Sequence, residues 1–186
     1  MAVAKPKTFL TPAVKALIGQ ETEVTEMYGV IDQETVRRYV VGIPDQDPRH
    51  WDEDLAKERF GTTTAPAAMI SYTALRSAPW EEDHFHELML EDPWRDQVSM
   101  RRPDSAGLAE VRAVAGTRSH LHGGDELEVY AYPKLGDRIF FQTRYADIQE
   151  KLGSNGQPFL LITRETRFWN QDDQTLLILR ALGIER

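Results

Sequence analysis

The residues best suited to chemistry are an acid and a histidine five positions apart, Asp45 and His50, within the stretch of residues 43–50. Pro48 fixes its own φ and disfavours helical conformation at Asp47, so the stretch predicts a shaped loop and not part of a helix. Such a loop can aim a carboxylate and an imidazole at the same point, where they could share proton transfer on a small substrate. A structural turn is the alternative, because aspartate and proline are common turn formers.

The composition narrows the class of protein. The chain has 186 residues and a net charge of -8, with no cysteine. Disulfides, thiolate metal sites and cysteine nucleophiles are therefore excluded, and a general nucleic-acid-binding surface, which is basic, is disfavoured. There is no apolar run of membrane-spanning length and no signal-peptide pattern at the N-terminus, so we expect a cytoplasmic protein without a membrane partner.

The first half of the chain predicts the helices that must position the loop. Helices are indicated over residues 12–18, from a cap at Asp32 to residue 41, and over residues 53–60 after a cap at Asp52, with a strand over residues 21–30. Residues 65–75 predict a buried helix, because Pro66 suits a first turn and the small, apolar side chains permit close packing on nearly all sides.

The second half predicts strands. Residues 77–116 show no clean period and indicate an irregular excursion. Beyond them, four segments rich in β-branched and aromatic residues, 126–132, 138–149, 158–169 and 175–182, are separated by turn signals such as the hairpin turn at residues 153–156. Short connections between them predict an antiparallel meander. Helices followed by strands indicate an α+β fold, with one apolar helix wrapped by a long, curved antiparallel sheet.

Residues 45–52 read Asp-Gln-Asp-Pro-Arg-His-Trp-Asp and resemble the motif Asp-x-Asn-Pro-aliphatic-His-x-Asp of the MaoC-like (R)-specific enoyl-CoA hydratases and dehydratases. Two positions differ, because Asp47 replaces the usual asparagine and Arg49 an aliphatic residue. Residues 60–61 and 65–69 resemble the segment leading to the family's central helix, and residues 122–126 and 136–137 resemble its N-terminal-type dehydratase subgroup. The resemblance covers most of residues 12–183. It implies a single hot-dog domain over residues 1–186, with 77–116 as its irregular excursion.

The resemblance also implies an activity, the addition of water across the double bond of a 2-enoyl-CoA. Asp45 would be the general base that activates water, and His50 would position that water and share in proton transfer. The backbone N–H of Ala68, where the family usually has glycine, would stabilise the enolate-like thioester oxygen. Substrate-binding positions would be Asp47, Pro66 and His122. The coenzyme A thioester would be the substrate and no cofactor or metal is implied. The expected assembly is a homo-oligomer, or a heteromer with a second MaoC-like subunit.

Two other functions stay open at this point, a non-catalytic subunit that partners a catalytic hydratase and a hot-dog acyl-CoA thioesterase. Several residues also have two interpretations. His84 and His86 suit a metal site or, better, a polar surface, and His120 and His122 suit a turn or, less well, pocket contact. Four basic residues are candidates for binding coenzyme A phosphates or for an ordinary solvent-exposed surface: Arg101, Arg102, Arg118 and Lys134. Three aromatic residues are candidates for an acyl pocket or an interface, or equally for ordinary burial: Trp80, Phe85 and Trp94.

Overall fold

The computed structural model describes residues 8–73 and 111–186. The helices are α1 Pro12–Lys15, α2 Gln33–Gly42, α3 Glu53–Phe60, α4 Ala67–Thr73 and α5 Val111–Ala115, with a 3₁₀ turn at Pro48–His50. The strands are β1 Thr25–Glu26, β2 His120–Val129, β3 Ile139–Leu152, β4 Pro158–Asn170 and β5 Thr175–Glu185. Within these two ranges no helix combines the length and the apolar character needed to cross a membrane.

Two helices confirm their predicted caps. The Asp32 carboxylate accepts the backbone N–H of Thr35 at 2.9 Å at the start of α2, and the Asp52 carboxylate accepts that of Leu55 at 3.0 Å at the start of α3. Both bonds satisfy backbone donors that have no partner within the helix. Gly61 ends α3 at φ +80°, in the left-handed region that glycine adopts without strain.

The strand predicted over residues 21–30 is wrong for most of its length. Within it, Glu21 forms an isolated bridge to β3, β1 pairs with β3, and Thr22 and Met27 each donate a backbone N–H to a β3 carbonyl. Val24 is exposed whereas Thr22 and Met27 are buried, so burial does not alternate as a regular strand requires. Helix α1 likewise ends at Lys15, before the predicted residue 18.

Helix α4 is the buried helix that the sequence predicts. It begins directly after Pro66, and Met69 and Ile70 are fully buried. They share a hydrophobic cluster with Phe168, Leu176 and Leu177 from the sheet. The predicted helix continues past Thr73 outside the described residues, as does most of the excursion predicted over residues 77–116. Residues 111–115, within that excursion, form α5, whose Val111 packs into a second cluster with β3 and β4.

The sheet has five antiparallel strands in the order β1-β3-β4-β5-β2. The meander is confirmed for β3, β4 and β5. It is wrong for β2, which pairs with β5 at the far edge and not with β3. Strand β2 does not pair with β3 because of the connection between them. Residues 133–137 bond to segments near the helices, and the chain continues into β3 towards the opposite edge of the sheet. The α+β class is confirmed.

We predict that Phe168→Ala lowers the free energy of unfolding by about 3–5 kcal/mol, because it leaves a cavity where a fully buried ring packs against α4. Chemical denaturation measures the change. The matched truncation Leu152→Ala, at the exposed end of β3, is expected to change stability by less than about 0.5 kcal/mol. Equal losses in the two variants would contradict this packing.

Candidate active site

Asp45 and His50 line the same cleft, which has a volume of about 670 Å³. One wall is helix α2, and the other is formed by the loop after α2, the 3₁₀ turn and Thr63. The apolar part of the lining comes from Val40, Val41, Pro44 and Trp51. The polar part comes from Gln33, Arg37, Asp45, Gln46, His50, Glu53 and Thr63. The loop therefore contributes both Asp45 and His50 to the lining of this cleft, and their catalytic roles stay predictions.

His50 is held in one orientation by its backbone surroundings. Its side chain is only 5% exposed, and its Nδ1 lies 2.8 Å from the carbonyl oxygen of Thr64. Because a carbonyl can only accept, Nδ1 is the protonated nitrogen of the neutral ring and Nε2 carries the lone pair. The neutral His50 ring therefore offers a proton acceptor at Nε2.

Asp45 is half-buried and held by the turn that follows it. Its Oδ1 accepts the backbone N–H of Asp47 at 2.9 Å, and its own N–H donates to the carbonyl of Val40 at the end of α2. This Asx-type turn fixes the carboxylate relative to the helix while leaving its second oxygen without a bond in the described part of the chain. That oxygen is the second acceptor of the cleft.

The two residues that depart from the family motif contact each other. Arg49 Nε lies 2.7 Å from Asp47 Oδ2, with both side chains about one-third exposed. The contact is an ion pair more than a hydrogen bond, since the buried N–H is not aligned with an acceptor among the described residues. The Arg49 guanidinium holds the pKa of the Asp47 carboxyl below its ordinary value, and Asp47 in turn raises the pKa of Arg49. The pair is therefore fully charged at neutral pH.

The segment before α4 is attached to the loop after β2. Ala65 donates its backbone N–H to Pro133 at 2.7 Å, and Leu135 donates to Thr63 at 3.3 Å. This pairing holds the Thr64 carbonyl beneath His50 and brings Tyr132 near the site. The Tyr132 ring lies 5.7 Å from the His50 ring, centre to centre.

The remaining predicted site residues lie outside the cleft lining. Pro66 is buried just before α4, and Ala68, in the first turn of α4, is exposed. The first N–H groups of a helix have no intrahelical acceptor, so that of Ala68 can donate to a ligand. His122 lies on β2, exposed, 3.4 Å from Asp125. Asp47 donates its backbone N–H to the Asp45 carboxylate, and its own carboxylate pairs with Arg49.

The alternative ligand sites receive no geometric support in the described ranges. Across residues 8–73 and 111–186 no three histidine, aspartate or glutamate side chains cluster as metal ligands. His120 lies in β2 and not in a turn, and its ring pairs with the buried Glu185 at 2.8 Å. Arg118 and Lys134 are exposed and are not among the residues that line the cleft. The predictions for His84, His86, Arg101, Arg102, Trp80, Phe85 and Trp94 concern residues outside the described ranges.

Sequence reasoning missed three contributors to the site. Thr64 acts through its backbone carbonyl, which no side-chain pattern reports. Tyr132 reaches the site through the pairing of distant loops. The Asp47–Arg49 pair did have a signal, since opposite charges two residues apart across a proline turn can meet.

Comparisons with known proteins show the family and the fold of the chain. The family model described as FAS1-like, dehydratase domain region matches residues 16–178. A search of curated protein sequences finds no match. Among solved structures, the ChsH1-ChsH2 complex from Mycobacterium tuberculosis is 14% identical with a TM-score of 0.66, covering 93% of this chain and 88% of its own.

Two further solved structures share the fold. A MaoC-like dehydratase from Rhodospirillum rubrum is 15% identical with a TM-score of 0.56, covering 90% of this chain and 91% of its own. The truncated HadBC (3R-hydroxyacyl-ACP dehydratase) complex from Mycobacterium tuberculosis is 10% identical with a TM-score of 0.54, covering 90% and 96%. The predicted hot-dog fold is confirmed.

We predict that one histidine of the protein shows the ¹⁵N and ¹H NMR signals of a neutral ring protonated at Nδ1, because the Thr64 carbonyl fixes that tautomer of His50. Two-dimensional ¹H–¹⁵N spectra of histidine-labelled protein measure it. The signals should vanish in His50→Gln and persist in His122→Gln, whose ring is exposed. An Nε2-protonated ring at His50 would contradict the geometry.

Proposed function

The chain belongs to the FAS1-like dehydratase family, and from this premise we propose that it is a hydro-lyase that adds water across the double bond of a 2-enoyl-CoA or removes it in reverse. The observation that carries the proposal is the pair of acceptors in one cleft, the Asp45 carboxylate and Nε2 of His50. A water molecule has two protons to donate. Held by both acceptors, it presents an oxygen lone pair to the substrate.

The proposed step follows from these roles. Asp45 accepts a proton from the water as the water oxygen bonds to C3 of the enoyl group. The electron pair of the double bond moves towards the thioester carbonyl. The proton taken from the water is then returned to C2 from the same face. His50 positions the water and shares in this proton transfer. The product is a 3-hydroxyacyl thioester, and the reaction consumes only water and the thioester.

The negative charge that develops on the thioester oxygen requires a donor. We assign this role to the backbone N–H of Ala68, because a preorganised N–H at a helix start is effective for an oxyanion. An alanine keeps the donor that a glycine would supply. Asp47, Pro66 and His122 stay predictions as substrate-binding residues.

The apolar side of the cleft supports an acyl substrate. Val40, Val41, Pro44 and Trp51 form this side, and Trp51 is 57% exposed at its rim. Such side chains favour an aliphatic or ring-bearing acyl group through burial of apolar surface.

We further propose that the chain functions beside a second hot-dog subunit, either another copy or a different chain. The support is that two structures of similar fold, ChsH1-ChsH2 and HadBC, are complexes of two named subunits. Strand β2 also forms a ten-residue sheet edge, paired only with β5 within the described residues, and open sheet edges are commonly covered by partners.

We predict that Asp45→Asn and His50→Gln each lower kcat/KM for hydration of a 2-enoyl-CoA by about 10²–10⁴-fold, because each removes one acceptor for the water. Product mass and loss of enoyl absorbance measure the rate. Asp54→Asn is the matched control, since this exposed carboxylate in the first turn of α3 lies outside the cleft; it should stay within about twofold of wild type. Full activity in either cleft variant would refute the assigned roles.

A panel of short, long and ring-bearing 2-enoyl-CoAs separates the proposal from its rivals. The proposal predicts a product 18 mass units heavier than the substrate, since one water is added and coenzyme A is retained. Release of free coenzyme A without that product would identify a thioesterase. If the isolated chain is inactive and gains activity with a second hot-dog subunit, full activity of that complex with Asp45→Asn in this chain would identify a non-catalytic partner.

A further inference from the structure

We propose that Arg49 is a positioning residue that, with Asp47 and Tyr132, holds the 3₁₀ turn in the one arrangement that presents both acceptors to the cleft. This inference rests on the proposed function for its kinetic consequences. Its structural consequence, a fixed His50 tautomer, is independent of the reaction. Arg49 itself does not line the cleft, so its action passes through its neighbours.

The Arg49 guanidinium lies close to two aromatic rings. Its guanidinium carbon lies 4.4 Å from the centre of the Tyr132 ring and 5.7 Å from that of Phe60. Both distances are within the range of cation–π attraction. Phe60 ends α3 and Tyr132 precedes the loop 133–137, so one side chain joins the turn to two separate elements.

The connection to His50 runs through the backbone of residue 49. The Arg49 carbonyl accepts the N–H of Thr64 at 3.2 Å and is approached by its hydroxyl at 3.4 Å. The Thr64 carbonyl then accepts Nδ1–H of His50 at 2.8 Å. A displaced residue 49 would move Thr64 relative to the imidazole, and the bond that selects the tautomer would weaken.

The connection to Asp45 runs through Asp47. The Asp47 N–H holds Asp45 Oδ1 at 2.9 Å, while the Asp47 carboxylate pairs with Arg49 at 2.7 Å. The same carboxylate accepts the N–H of Arg49 at 3.1 Å and so starts the turn. Asp47 therefore links the proposed base to the positioning residue.

The charges at positions 47 and 49 must balance. Without Arg49, the Asp47 carboxylate would stand two residues from Asp45 without a counter-charge, and the repulsion would disturb the turn. Without the Asp47 charge, the Arg49 guanidinium would lose its partner. It would then pair with the nearby Asp45 carboxylate, which already attracts it, and so block the proposed base. A neutral pair at both positions would avoid both faults, since asparagine keeps the turn-starting acceptor and methionine packs on Tyr132 and Phe60.

The test is a double-mutant cycle with Asp47→Asn, Arg49→Met and the combined variant, read by kcat, KM and the His50 NMR signals. Arg167→Met is the matched control, because Arg167 also pairs with a carboxylate, Asp173 at 2.9 Å, and lies over an aromatic ring, Trp169 at 4.8 Å, away from the cleft. Arg49→Lys is added as a milder variant that keeps the charge but loses the planar stacking group. Thermal unfolding establishes that each variant folds.

We expect each single change to lower kcat by roughly tenfold or more with KM within about threefold, and the combined variant to recover to within about threefold of wild type. The Nδ1–H signals of His50 should be lost or averaged in Arg49→Met, weakened in Arg49→Lys and restored in the combined variant. Arg167→Met should leave both readouts within about twofold of wild type, as expected for a surface ion pair.

Unchanged His50 signals in Arg49→Met would overturn the positioning role, and so would a combined variant that loses at least the product of the single losses. If Arg49→Met does not fold, the Arg49→Lys spectrum decides in the same way. If the wild-type chain shows no hydration, alone or with a second hot-dog subunit, the proposed function fails, and the NMR comparison alone then supports or overturns the role of Arg49.

Discussion

The site depends on the backbone of one loop, residues 133–137, which satisfies the hydrogen-bonding groups of two other segments. Pro133 and Leu135 bond to residues 63–65 before α4, and Gly136 and Asp137 bond to Ile31 before α2 at 2.8 and 2.9 Å. Buried backbone groups are costly when unpaired, so these bonds fix both segments. The buried Asp137 carboxylate closes the loop by accepting the N–H of Lys134 at 2.8 Å. One short connection therefore fixes the segments that precede α2 and α4.

Local signals made much of the fold predictable. Asp32 and Asp52 were recognisable as caps because a short carboxylate next to an apolar helical pattern satisfies free N–H groups, and α4 was recognisable from its small and apolar residues. Strand order was not predictable in the same way. The pairing of β2 with β5 joins residues 48 to 65 apart in the chain, from Val129–Leu177 to His120–Glu185, and the short connection after β2 suggested a hairpin with β3. The bonds of residues 133–137 to two distant segments outweigh that local preference.

The candidate site could likewise be predicted where it depends on local sequence and not where it depends on tertiary pairing. Asp45 and His50 could be predicted because they lie in one short proline-shaped stretch and both line the cleft. Thr64 and Tyr132 could not, because their contribution arises from tertiary pairing and, for Thr64, from a carbonyl that every residue possesses. The tautomer of His50, on which its role as an acceptor depends, is likewise a property of the folded chain.

The departures at Asp47 and Arg49 look independent in the sequence, one an added anion and the other an added cation within a motif that usually carries neither charge. In the structure they are partners, so the net charge beside Asp45 is the same as for an asparagine and an aliphatic residue. The exchange adds a fixed link to Tyr132 that an aliphatic side chain cannot make as strongly, since cation–π attraction adds about 0.5–2 kcal/mol to the packing. Charge balance explains how the pair can differ from the family pattern while Asp45 and His50 stay in place.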